Sequence, residues 1–143
     1  MKEEKFCDSV LTEWTSQFGP DLNASSSEPR TCILEIDEAK ITFFYDYRDG
    51  RISSSILFTN DEVAKTDELD TRTVYRLIRL EAGETTEEAS WGPPDSVKAE
   101  VERVLSILSA VRGGKYGARD LSYFFWGFNA AYSESLNRRA NQN

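Results

Sequence analysis

Residues 31–58 read "TCILEIDEAKITFFYDYRDGRISSSILF". Apolar side chains recur at every second position, the period of a strand with one buried face. In 31–37, Cys32, Leu34 and Ile36 alternate with Thr31, Ile33, Glu35 and Asp37. In 40–47, Ile41, Phe43, Tyr45 and Tyr47 share a face; in 51–58, Ile52, Ser54, Ile56 and Phe58 do. Short polar breaks at Asp37–Ala39 and Arg48–Gly50 separate the runs, and the Asp49-Gly50 pair supplies the positive φ of a tight hairpin. The stretch predicts a three-stranded antiparallel meander.

Outward from the meander the period becomes that of a helix. Upstream, residues 3–18 place Phe6, Cys7, Val10, Leu11, Trp14 and Phe18 in one stripe, with Glu3 and Glu4 at the positive end of the dipole and Gly19-Pro20 as the stop. Residues 21–29 are polar and without period, a loop. Downstream, 59–70 is acidic and turn-like. "TRTVYRLIRLEAG" at 71–83 fits strand or helix by composition. As a helix it puts Arg72, Arg76 and Arg79 on one side and Val74, Leu77 and Ile78 on the other, with Gly83 as cap. The charges sort only in that reading, so a helix is expected. Residues 83–95 form a loop by their glycine and proline content. Asp95 or Ser96 caps a helix with the stripe Val97, Val101, Val104, Leu105, Leu108 and Val111, which Gly113 and Gly114 end.

The last helix, capped by Asp120, has Leu121, Phe124, Phe125, Phe128, Tyr132 and Leu136 on one side. Tyr123, Trp126, Gly127 and Ala130 lie opposite. A helix buried on two sides is expected, with Tyr123 and Trp126 as the alternative, a face open to a partner. The whole chain, 1–143, reads as a single α+β domain: an N-terminal helix, the meander, and C-terminal helices packed on one face of the sheet.

Composition removes several functions. There is no histidine among the 143 residues, which excludes Ser-His-Asp and Cys-His sites and any histidine-bound metal. Two cysteines cannot build a thiolate zinc site, and no glycine-rich loop leads from a strand into a helix to hold a phosphate. Neither a cofactor nor a metal is expected. Cys7 and Cys32, one on a helix face and one on a strand face, are expected as buried thiols. No apolar run is long enough to cross a membrane, and "MKEEKFCDSVLTEW" is too polar for a leader, so a cytoplasmic protein is expected.

The formal charge is −8. Such a field repels nucleic acid and anionic membranes and favours a basic partner. The acid is concentrated: residues 60–102 hold twelve acids and five bases, net −7, whereas 103–143 hold two acids and six bases, net +4. The pairs Asp61/Glu62, Asp67/Glu68 and Glu87/Glu88 lie in polar segments, where solvated carboxylates do little acid–base work. No catalytic residue is assigned; a carboxylate enzyme with a cleft stays as an alternative.

What is left is surface. The expected partner-binding residues are Asp61, Glu62, Asp67, Glu68, Asp70, Glu84, Glu87 and Glu88, with Trp91 beside them in a proline-restrained loop, and Tyr123 and Trp126 on the last helix. The acidic "TNDEVAKTDELD" and "GETTEEASW" stretches, in a small α+β chain without catalytic groups, resemble the immunity proteins of bacterial toxin–immunity systems. That resemblance implies a protein that neutralises a cognate toxin with a basic surface, often a nuclease, by covering its active or substrate-binding surface. A monomer or weak dimer is expected, without nucleic-acid or membrane partners. A second resemblance is carried by the opening helix and the strands "CILEID", "ITFFYDY" and "SSSILF". It is to type III secretion chaperones, which bind a secreted effector, and it would be strengthened by a strand at 71–82.

Overall fold

The alternation in residues 31–58 becomes the middle of a five-stranded antiparallel sheet of order β1-β2-β3-β4-β5. The computed structural model describes residues 5–19, 23–25, 29–62, 64–66, 68–85 and 93–127. Helix α1 (Phe6–Gln17) is followed by β1 (Asn23–Ser25), β2 (Thr31–Glu35), β3 (Ala39–Asp46) and β4 (Arg51–Phe58). A short 3-10 turn at Ala64–Thr66 leads to β5 (Leu69–Asp70), then α2 (Thr71–Glu81) and α3 (Val97–Arg112). Residues 118–127 form a further helix, α4.

The three expected strands are all present. Cys32, Leu34, Ile41, Phe43, Tyr45, Ile52, Ser54, Ile56 and Phe58 are buried, while Glu35, Phe44, Arg51 and Ser53 on the other face are exposed. Burial on one face and exposure on the other is what a sheet covered by helices on one side requires. The β3–β4 hairpin turns at Tyr47–Gly50, with Gly50 at φ +68° and its N–H donating to Asp46 O at 2.8 Å. Tyr47 therefore belongs to the turn and is exposed, rather than continuing the buried face of β3.

Two strands correct the three-stranded expectation. β1 pairs Asn23, Ala24 and Ser25 with Glu35, Leu34 and Ile33; β5 pairs Leu69 and Asp70 with Ile56 and Ser55. Both are short edges held by backbone pairing, so neither shows the apolar alternation that marks a central strand.

The stretch 71–81 is a helix, as its charge sorting predicts. Asp70 caps it, accepting from Thr73 N at 3.0 Å and Thr73 Oγ1 at 2.7 Å, and Gly83 leaves it at φ +96°. Ser96, not Asp95, caps α3 by accepting from Ala99 N at 3.1 Å. Asp120 is not an N-cap. It sits in the first turn of α4 and reaches back to accept from Gly117 N at 2.8 Å, the reciprocal half of a capping box.

A second correction concerns sulfur. Cys7 of α1 and Cys32 of β2 are not thiols but a disulfide, with Sγ–Sγ 2.12 Å and Cα–Cα 5.0 Å. Each cysteine lies on the face its periodicity indicates. Packing α1 on β2 brings those two faces together, a juxtaposition that neither period contains. Phe6, Val10 and Trp14 of α1 join Val74, Val101, Val104, Ile107, Leu108 and Leu121 in one buried cluster against the sheet. Among the described residues no helix is long and apolar enough to cross a membrane.

Candidate functional site

The polar interior lies where β4, α2 and α3 meet. Glu100 is fully buried and Arg103 is 4 % exposed, although both are charged. Glu100 Oε2 accepts from Arg103 Nη2 in an ion pair one helical turn long. Its other oxygen, Oε1, accepts from Ser54 Oγ at 2.6 Å and from Thr71 Oγ1 at 3.1 Å. Arg103 Nη2 also donates to Pro93 O at 3.2 Å. The cluster thus ties the inner face of β4, the first residue of α2, α3 and the segment entering α3. Arg103 Nε and Ser122 Oγ are buried without a hydrogen-bond partner among the described residues.

None of the expected site residues lies in this cluster, yet the sequence carries a signal for it. At 100° per residue Glu100 falls in angle between Val104 and Ile107, inside the apolar stripe of α3, and Ser54 occupies an inward position of β4. A charge within an apolar stripe must be paired once the stripe is buried. The groove between α2 and α3, about 710 Å³, runs past Tyr75, Arg79, Ala99, Glu102, Arg103 and Ser106. Its described lining holds one carboxylate, Glu102.

The acidic residues expected to form a patch are individually engaged. Asp61 accepts from Arg119 Nε at 3.1 Å and from Ala64 N at 2.9 Å, which ties the 3-10 turn to α4. Glu62 is exposed and pairs with Lys65 at 2.6 Å. Glu68 is exposed and accepts from Ser55 Oγ at 3.0 Å. Asp70 is the cap of α2. Glu84 accepts two bonds from Arg79, at 2.8 and 2.9 Å, and that guanidinium holds its carboxyl below the usual carboxylate range. Arg72 and Arg76, the rest of the arginine row, also have partners. Asp61, Glu62, Glu68 and Asp70 gather along the approach to β5, whereas Glu84 lies past the far end of α2. Asp67, Glu87, Glu88 and Trp91 lie outside the described residues, as do Phe128, Ala130, Tyr132 and Leu136.

Tyr123 and Trp126 behave differently. Leu121 and Ser122 on α4 are buried, and Phe124 and Phe125 are half-buried against the core. Tyr123, at 65 %, and Trp126, at 54 %, are open. The face opposite the core stripe is therefore exposed over the described part of α4, which corrects the expectation of a helix buried on two sides. Tyr116 and Phe125 brace the helix edge-on against Phe124 and Trp126, with ring centroids 5.8 Å apart in each pair. Beside them Leu77 and Leu80 of α2 are only half-buried. With Glu81, Tyr123, Phe124 and Gly127 they line a groove of about 400 Å³.

Among the described residues no group of three or more His, Cys, Asp or Glu side chains is placed to hold a metal ion. The arrangement offers an aromatic, concave contact surface. No family model, curated protein or solved structure matches this chain.

Proposed function

We propose that this chain is a binding protein that neutralises a partner protein, in the manner of an immunity protein acting on a cognate bacterial toxin. The observation that carries the reading is the open pair Tyr123 and Trp126 beside the α2–α4 groove, on a chain of formal charge −8. Exposed tyrosine and tryptophan are the side chains that most often supply binding energy, because each buries a large area at small entropy cost. Net acid speeds the approach of a basic partner. Covering a basic active or substrate-binding surface blocks the toxin's substrate.

The partner would be captured by these aromatic anchors, with the acidic field acting at long range. Local pairing of Asp61, Glu62 and Glu84 leaves the summed charge of the chain unchanged, so steering survives while direct contacts fall to the aromatics. The secretion-chaperone alternative would have gained from a strand at 71–82, and residues 71–81 are helical. The Cys7–Cys32 bond supports an oxidising compartment over the reducing cytoplasm, because such bonds persist where thiols are oxidised. Two alkylatable thiols per chain in protein isolated under acid quench would reverse that assignment.

The decisive experiment is co-expression with the product of the adjacent gene, followed by co-purification at low and high salt. Rescue of growth and a complex that associates more slowly as salt rises are expected. A neighbour whose expression is harmless, or whose toxicity is untouched by this chain, ends the proposal.

A further inference from the structure

The groove between α2 and α4 carries more information than its apolar floor. Its described charged lining is one carboxylate, Glu81, which is exposed at the last residue of α2. The same helix end presents the negative pole of its dipole. Arg79, the basic residue of that last turn, is bonded twice by Glu84. On the opposite wall the ring of Tyr123 stands open, and aromatic faces attract cations. Between these walls Leu77, Leu80 and Phe124 offer only carbon to a guest. Gly127 adds no side chain, and a Cβ built there meets nothing within 4 Å among the described residues.

We infer that this groove takes a segment of the partner protein in which an aliphatic or aromatic side chain stands next to a lysine or arginine. The inference rests on the reading above that the chain binds a protein. The apolar side chain fills the space between Leu77, Leu80 and Phe124. The neighbouring cation lies against Glu81 and the end of α2, with its stem over Tyr123. An acidic segment would meet the Glu81 carboxylate and the helix dipole with the wrong sign. A purely apolar one would leave that carboxylate desolvated without a partner.

The test uses the full chain, immobilised, against a phage-displayed library of random dodecapeptides. The strongest selected peptide is then synthesised and titrated by calorimetry. A consensus pairing Leu, Ile, Phe or Trp with an adjacent Lys or Arg is expected. Substituting Glu for that base should weaken binding at least tenfold, and E81K should do the same while leaving thermal unfolding unchanged. Gly127→Leu, which puts a side chain into the groove, should abolish binding by a folded protein. No consensus, an acidic consensus, or binding indifferent to E81K and Gly127→Leu overturns the inference. Growth rescue by co-expression is scored separately. Rescue without a basic-apolar consensus sinks this assignment and spares the proposed function, and the reverse outcome does the opposite.

Discussion

Two regions of this molecule invert the usual distribution of polarity. Between β4, α2 and α3 a carboxylate and a guanidinium are sealed inside, and on α4 two aromatics face outward beside two half-buried leucines of α2. The buried charges are held by geometry: every oxygen of Glu100 has a donor, from Arg103, Ser54 or Thr71. The outward apolar groups have no such internal justification. Burying the Glu100–Arg103 pair gains little net energy over an apolar pair of the same size, but breaking it is costly, so it acts as a constraint on how α3 seats on β4. The exposed rings lie outside the buried cluster. That contrast separates a structural site from a candidate contact surface, and each side of it can be tested.

The largest effect is expected inside. Glu100→Ala leaves Arg103 charged and buried without its carboxylate and should cost about 3–5 kcal/mol of stability in urea unfolding. A double replacement of Glu100 and Arg103 by Met should recover most of that loss; if the double variant is as unstable as the single one, the pair is not the cause. Next is the Cys7–Cys32 bond. It spans a sequence separation of 25 residues, so its removal by Cys7→Ser/Cys32→Ser should cost about 3 kcal/mol by loop entropy, seen as a melting point lower by roughly 10 °C.

On the exposed side the ranking reverses between readouts. Trp126→Ala should change unfolding free energy by no more than about 0.5 kcal/mol, yet weaken the partner complex by about 2 kcal/mol, near thirtyfold. A large drop in stability with unchanged binding would move Trp126 to the structural side of the comparison. Asp70→Ala removes the α2 cap and should cost about 1 kcal/mol without altering partner affinity.

The smallest effect is a titration. The Arg79 bonds lower the Glu84 pKa, so their contribution is present above the ordinary carboxylate range and is lost as pH falls through the depressed folded value. The Glu84 side-chain resonance should therefore titrate at lower pH than in the Arg79→Gln variant; coincident midpoints would dissociate the shift from Arg79.

Much of this architecture could be read along the chain, for reasons that differ by element. The three central strands and the α3 stripe were legible because burial on one face writes a period of 2 or 3.6 into consecutive residues. Helix 71–81 was legible through the arginine row, since charges avoid a buried face. β1 and β5 were not, because "NAS" and "LD" pair through backbone groups that every residue carries. The aromatic face of α4 was visible in the angles of Tyr123 and Trp126. Its exposure was not, since periodicity counts faces and does not say which of two apolar faces finds a neighbour.

The local statements of the chain concern periods, caps, charge and the absence of histidine, and they are complete within a few residues of each position. Three features depended on segments far apart meeting in space. One is the bond between Cys7 and Cys32, another the enclosure of Glu100 by Ser54, Thr71 and Arg103, and the third the open groove where α2 runs beside α4. Each is a property of the distance between two elements, and that distance is set by how all the helices share one face of the sheet.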